Sequence, residues 1–252
     1  MSDLKDLFSS ARSSGDISNT SLQLLTLPDL GAKIQQGLGI AVDNVPASEV
    51  FLLSLLVDDS GSIRSSNNEA LVIAGTNEIL QSLKSSKQES SILVHTRYLN
   101  GTVLCPFSKL SDATLMSKAN YQAVGSTPLF DESVALLGTV IAKTQEFADS
   151  GVPARSVTVI ITDGEDAGSQ RYRARDVRNI VEDMLSHEQH IVAGFGLNNG
   201  RTNFRTVFHE MGIEDRWILT PGADKKDIRA AFRVVSQTAV KTSQGVAAGG
   251  FA

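Results

Sequence analysis

The chain has 252 residues, 41% of them hydrophobic and 20% charged, the balance of a folded globular protein with a substantial core. With 23 basic residues against 28 acidic ones the net charge is −5, which lacks the basic footprint of a protein that grips nucleic-acid backbones. The single cysteine, Cys105, excludes an internal disulfide, and its apolar neighbours Leu104 and Pro106 mark it as a small buried hydrophobe.

Residues 1–20 are rich in Ser, Asp and Gly and read as a mobile N-terminal segment, with no continuous apolar stretch of secretory-signal type. Residues 21–48 are different: Leu22, Leu24, Leu25, Leu27, Leu30, Ile34, Leu38 and Ile40 are too apolar for a free linker. Pro28 and Asp29 can open a short helix there, and Gly37 and Gly39 can end it. We expect an arm that packs on the main body, which spans residues 49–236.

In that body Phe51–Val57 is a continuous apolar run, as a strand covered on both faces requires. It is too short to cross a bilayer, so the expected compartment is the cytoplasm, with no membrane contact. Val72, Ile79, Leu80 and Leu83 then fall on one helical face. Ser91–Leu99 reads as a strand, Asn100-Gly101 as a hairpin turn and Thr102–Pro106 as a short antiparallel return. Leu129–Ala148 is helical, with Pro128 at its first position, and Val157–Thr162 is another buried strand. Val177, Ile180, Val181, Met184 and Leu185 repeat as an amphipathic helix. Ile191–Phe195, Asn203–Met211, Trp217–Leu219 and Asp224–Ser236 continue the alternation as strand, helix, strand and helix. Residues 237–252, rich in Ser, Ala and Gly, read as a flexible tail. The predicted architecture is α/β: a doubly wound, mostly parallel six-stranded sheet with one short antiparallel strand and helices on both faces. Ligands of such sheets bind at the carboxyl ends of the strands.

Three loops at those ends are rich in oxygen. The first is Asp58-Asp59-Ser60-Gly61-Ser62, the second Gly125-Ser126-Thr127-Pro128 and the third Thr162-Asp163-Gly164-Glu165-Asp166. Each alone reads as a cap or a turn. Together they offer three hydroxyls and two carboxylates without His or Cys, a donor set for a hard divalent cation such as Mg²⁺, Mn²⁺ or Ca²⁺. Neutral hydroxyl ligands leave such an ion electrophilic, able to take an outside carboxylate. Asp59 is expected to point away from the set.

The residues Asp58-x-Ser60-x-Ser62, Thr127 in Gly-Ser-Thr-Pro-Leu and Asp163 in Thr-Asp-Gly resemble the metal-ion-dependent adhesion site (MIDAS) of von Willebrand factor type A (vWA) domains. The resemblance spans roughly residues 50–236. It implies that Ser60, Ser62 and Thr127 bind the ion directly and that Asp58 and Asp163 bind it directly or through water. Ser126 departs from the family's usual Gly-Gly-Thr. Without a secretory segment the chain is more similar to stand-alone bacterial vWA proteins of stress-response and conflict systems. That similarity implies a protein partner such as a MoxR-type AAA+ ATPase, a kinase or a phosphatase.

The expected function is therefore a non-catalytic, metal-dependent protein-binding module. A metal-dependent hydrolase or phosphotransferase is the alternative, although there is no Walker A sequence or GxSxG elbow, and Ser60 stands where a dehalogenase-type phosphatase needs a second Asp. A structural domain with a vestigial site is a third. The histidines His95, His187, His190 and His209 have no zinc-ligand spacing. Asp131 and Glu132 read as dipole partners of a helix start. Glu165 and Asp166 read as rim or turn residues, and Arg171, Arg173, Arg175 and Arg178 as a solvated face or a contact for an acidic surface.

Overall fold

A computed structural model describes residues 3–84, 86, 89–222, 224–245 and 249–251. Strand β1 (Val50–Val57) is buried along its whole length. It pairs in parallel with β2 (Ile92–Tyr98) on one side and β4 (Ala154–Thr162) on the other. The strand β3 (Val103–Lys109) returns antiparallel to β2, and β5 (His190–Gly196) and β6 (Ile218–Leu219) extend the sheet in parallel, giving the order β3-β2-β1-β4-β5-β6. This is the six-stranded, doubly wound sheet that the apolar runs predict. Strand β3 runs past Pro106 to Lys109 because it lies at the sheet edge, where register shifts accommodate a residue without an N–H. The order reverses between β1 and β4, so the loops leaving these two strands flank the crevice that the topology opens.

The helices follow from apolar faces that the sheet covers. The short helix α4 (Gly61–Ser65) continues from β1 and leads into α5 (Glu69–Leu83), which packs against the last helix, α9 (Lys225–Ser243). The long helix α6 (Leu129–Asp149) packs on β1 and β4 and against α7 (Ala174–Leu185), which lies on β5; α8 (Phe204–Glu210) follows. No helix among the described residues is long and apolar enough to cross a membrane. Cys105 is buried and free.

Two expectations about the chain ends are corrected. The segment expected to be mobile forms a helix, α1 (Leu4–Ser14), capped by Asp3 and closed by left-handed Gly15. Its Leu7, Phe8 and Ala11 are buried, as is Ile17 beyond it. Each fully buried large side chain contributes about 1.5–3 kcal/mol, enough to hold a short helix that would not persist alone. Met1 and Ser2 lie outside the described residues. At the other end α9 continues to Ser243, because Ala239 extends the buried stripe of Ile228, Phe232 and Val235. The hydroxyls of Ser236 and Thr242 donate to carbonyls one turn back, which makes these polar residues compatible with burial. Phe251 returns to stack edge-on against Trp217, while residues 246–248 and 252 of the expected tail lie outside the described residues.

Residues 21–48 form α2 (Asn19–Leu25), beginning just ahead of them, and α3 (Leu30–Leu38). With α1 they make a helical layer over α6 and α7. The arm then meets the sheet edge: the Ile40 amide donates to the Phe107 carbonyl of β3 (2.8 Å). The exposed edge is thereby paired rather than left as a template for association.

Candidate metal centre

The loop after β1 starts by extending the β1–β4 ladder, since the Asp58 amide donates to the Ile161 carbonyl (2.9 Å). Its side chain then organises both neighbouring loops. Asp58 Oδ1 accepts from the Ser60 amide (2.8 Å), and Oδ2 accepts from the Thr162 hydroxyl (2.7 Å) and the Asp163 amide (3.2 Å). Asp59 turns away, as expected from its place in the loop, and takes the Asn100 amide (3.0 Å).

This brings Ser60, Ser62 and Asp163 together. The Ser62 hydroxyl donates to Asp163 Oδ1 (2.6 Å), and the Ser60 and Ser62 oxygens are 2.8 Å apart. Asp58, Ser60 and Asp163 are at most 2% exposed. Thr127, 6% exposed, stands on the adjacent loop. That loop is joined to the first one by the Gly61 amide on the Gly125 carbonyl (3.3 Å), and to the third by the Ala167 amide on the Thr127 carbonyl (2.9 Å). The threonine hydroxyl makes no hydrogen bond to the other four side chains among the described residues. Close approach of the second and third loops needs Gly168, where a Cβ would lie 2.8 Å from the Ser126 hydroxyl.

Asp163 Oδ2 is buried and has no hydrogen-bond partner among the described residues. Burial first, and the nearby Asp58 charge second, push the Asp163 carboxyl up to about 6 against the opposing hydrogen bonds of Ser62 and Ser60. A buried, underused carboxylate oxygen beside hydroxyls that have lone pairs to give is a fit for a hard cation. Among the described residues no group of three or more His, Cys, Asp and Glu gathers to hold a metal, so the hydroxyls must carry part of any ligand set.

Several supporting residues escaped sequence reasoning. Thr162 holds Asp58 in place, Tyr121 donates its hydroxyl to the Asp58 carbonyl (2.5 Å), and Asn199 donates to the Asp163 carbonyl (2.5 Å). Thr162 has a signal in the Thr-Asp-Gly motif itself; Tyr121 and Asn199 come from distant loops and have none. Asp131 and Asp166 also prove to have specific work. Pro128, at the position just before α6, supplies no side-chain cap. Instead Asp166 Oδ1 and the Ser169 hydroxyl accept the Phe130 amide (3.3 and 3.0 Å). Asp131 in turn accepts the amides of Gln170, Arg171 and Tyr172 (2.9, 3.2 and 2.8 Å). The first turn of α6 and the loop after β4 thus cap each other. Arg171 pairs with Asp29 (2.5 Å) and Arg178 with the carbonyls that end α8, so the four arginines do not form one open basic face.

No family model matches the sequence, and no curated protein is detectably similar to it. Solved structures with the same fold do exist. The pilus adhesin SpaC of Lactobacillus rhamnosus GG, in its open conformation, aligns with a TM-score of 0.54 at 13% identity over 77% of this chain and 30% of the adhesin. Proximal thread matrix protein 1 of the mussel byssus aligns with a TM-score of 0.54 at 14% identity over 76% of this chain and 48% of the mussel protein. That mussel protein has also been solved with zinc occupying its MIDAS motif. A von Willebrand factor type A protein from Catenulispora acidiphila gives a TM-score of 0.48 at 15% identity, over 79% of this chain and 43% of that one. The chain spans less than half the length of each of these proteins. With its sheet order, its single antiparallel edge strand and its flanking helices, the chain shares the α/β fold of the pilus adhesin and the mussel protein.

Proposed function

We propose that this protein is a divalent-metal-dependent protein-binding module whose metal site captures a carboxylate of a partner. The observation that carries this reading is the convergence of Asp58, Ser60, Ser62 and Asp163 at the β1–β4 crevice, with Asp163 Oδ2 buried and without a hydrogen-bond partner among the described residues. Thr127 is the proposed fifth ligand, from the neighbouring loop. A bound Mg²⁺, with Mn²⁺ or Ca²⁺ as substitutes, would supply a Lewis-acidic position for an oxygen of the partner. Ser60, Ser62 and Thr127 would contribute neutral oxygens, and Asp58, fully engaged with three donors of the protein, would act from behind as the organiser of the loops.

We read the module as non-catalytic. The Ser60 and Ser62 hydroxyls lie against each other, the carboxylate they meet, Asp163, is itself a proposed ligand of the ion, and no histidine hydrogen-bonds to them among the described residues. His95, the histidine of β2, is instead spent on the Cys105 carbonyl (2.8 Å). The fitting context is a cytoplasmic bacterial stress or conflict system, with a AAA+ ATPase, kinase or phosphatase presenting an exposed Asp or Glu.

Calorimetric titration with Mn²⁺ of the wild type, Ser62→Ala and Asp163→Asn tests the site. Asp58→Ala is a poorer probe, because it strands three donors, two of them backbone amides. Heat and a raised melting temperature are expected in the wild type and neither in the variants, with unchanged circular dichroism. A wild type indifferent to Mn²⁺ and Mg²⁺ overturns the reading. Phosphoester turnover lost in Ser62→Ala would favour the hydrolase alternative.

A further inference from the structure

We propose that the N-terminal helical arm is a latch for the candidate metal centre, with Lys33 as a positioning residue that acts through Glu132. This inference rests on the metal-site reading above. It starts from a buried charge cluster that neither the motif nor the fold requires. Arg97 on β2 is fully buried, and the Glu132 side chain in the first turn of α6 is 3% exposed. The two pair directly, Arg97 Nη1 to Glu132 Oε2 at 3.0 Å. The other Glu132 oxygen takes Lys33 Nζ from α3, and Arg97 Nη2 donates to the Lys33 backbone carbonyl. One arm residue therefore completes a buried carboxylate and a buried guanidinium at once.

Glu132 sits five residues from Thr127, and its own amide donates to the Pro128 carbonyl (3.1 Å). The same turn of α6 is capped by the loop that follows Asp163. The arm grips that loop too, through the Asp29–Arg171 ion pair and the Tyr172 hydroxyl on the Leu24 carbonyl (3.2 Å). A cavity of about 110 Å³ remains among Asp29, Leu30, Lys33, Asp131, Arg171 and Tyr172. The contact at this end of α3 is thus polar and incompletely filled, whereas Leu25, Ile34 and Leu38 pack the rest of the arm against the body. A carboxylate as buried as Glu132 that loses one of two cations draws the remaining one, and the helix turn that bears it, to a new position. The Thr127 and Asp163 loops, both tied to that turn, move with it.

The test compares wild type, Lys33→Met, Lys33→Arg and Asp183→Asn. Lys33 is 44% exposed, so its replacement by Met leaves the core intact. Asp183 holds the arm at the far end, through Ser18 (2.7 Å), and is a control for general loosening. Two measurements are made: Mn²⁺ affinity by calorimetry, and amide hydrogen exchange of residues 125–132 and 163–172 in EDTA. We expect Lys33→Met to raise the Mn²⁺ dissociation constant about fivefold or more, within the usual range of coupling between sites. Exchange of the two loops should quicken even without metal. Lys33→Arg should restore both, and Asp183→Asn should lower the melting temperature while leaving Mn²⁺ affinity unchanged. Equal loop exchange in wild type and Lys33→Met overturns the latch, whatever the metal does. Equal Mn²⁺ affinity in the two overturns its coupling to the ion, and a loss of affinity in Asp183→Asn overturns the assignment to Lys33. Failure of the wild type itself to bind Mn²⁺ overturns the metal reading and the latch's role in it.

Discussion

Replacing Asp163 by Asn should move stability in opposite directions with and without the ion. In the metal-free protein Asp163 is 1% exposed and its carboxyl is pushed from 3.8 up to about 6, chiefly by burial. A raised folded-state value means stability that is present below 3.8 and is lost as the pH rises through about 6. At about 1.4 kcal/mol per pH unit, holding the carboxylate ionised at pH 8 costs at most about 3 kcal/mol. Asn has no charge to desolvate and keeps an oxygen for the Ser62 hydroxyl. In EDTA at pH 8 the variant should therefore melt higher, by at most about 6–12 °C at the 2–4 °C per kcal/mol usual for chains of this size. The gap should close as the pH falls to 4. Saturating Mn²⁺ reverses the order. An ion at about 100 times its dissociation constant stabilises the wild type by about 2.7 kcal/mol, and at about 1,000 times by about 4.1, while Asp163→Asn gains little. Differential scanning calorimetry at pH 4 and 8, in EDTA and across a Mn²⁺ series, reads all of this. A variant that melts below wild type in EDTA at pH 8 refutes the desolvation argument. Equal stabilisation of both proteins by Mn²⁺ removes Asp163 from the ligand set.

Three further outcomes are expected. Burial and the charge of Arg97 lower the buried His95 from 6.5 to about 3, so its contribution is intact above pH 6.5 and is lost as the pH falls toward 3. His95→Gln should flatten the acid limb of the urea-unfolding curve by about 1.4 kcal/mol per pH unit, and parallel limbs in the two proteins would contradict this. At Gly138 a Cβ would lie 2.8 Å from both Leu25 and Ile34 of the arm. Gly138→Val should therefore lower stability by about 1–3 kcal/mol and quicken hydrogen exchange in residues 30–38; unchanged exchange there would show that the arm does not need this close approach. Asp131→Ala removes the acceptor of three consecutive amides and should cost about 1 kcal/mol, with faster exchange at residues 170–172 as the readout. Protection that persists at those amides would mean that they find other acceptors.

The sequence alone determined the sheet and most of its crossover helices, because a strand covered on both faces must be apolar throughout, as Phe51–Val57 is, and an amphipathic helix must repeat its apolar residues, as Val177–Leu185 does. It also determined where oxygen donors leave the sheet, since Asp58, Ser60, Ser62 and Asp163 directly follow the apolar runs. The N-terminal helix and the extension of α9 beyond Ser236 were hidden: Leu7, Phe8 and Ala11 make too short a stripe to be told from a loop, and Thr242 looks polar until its hydroxyl turns back on the helix. Only the tertiary structure decided that Glu132, a dipole partner by its position in a helix, is the buried counter-ion of Arg97 and Lys33, residues 35 and 99 positions away. Local periodicity records which face a residue turns to the core. It holds no record of which distant charge meets it there, because that pairing exists only once the chain has closed and water has been excluded from between them.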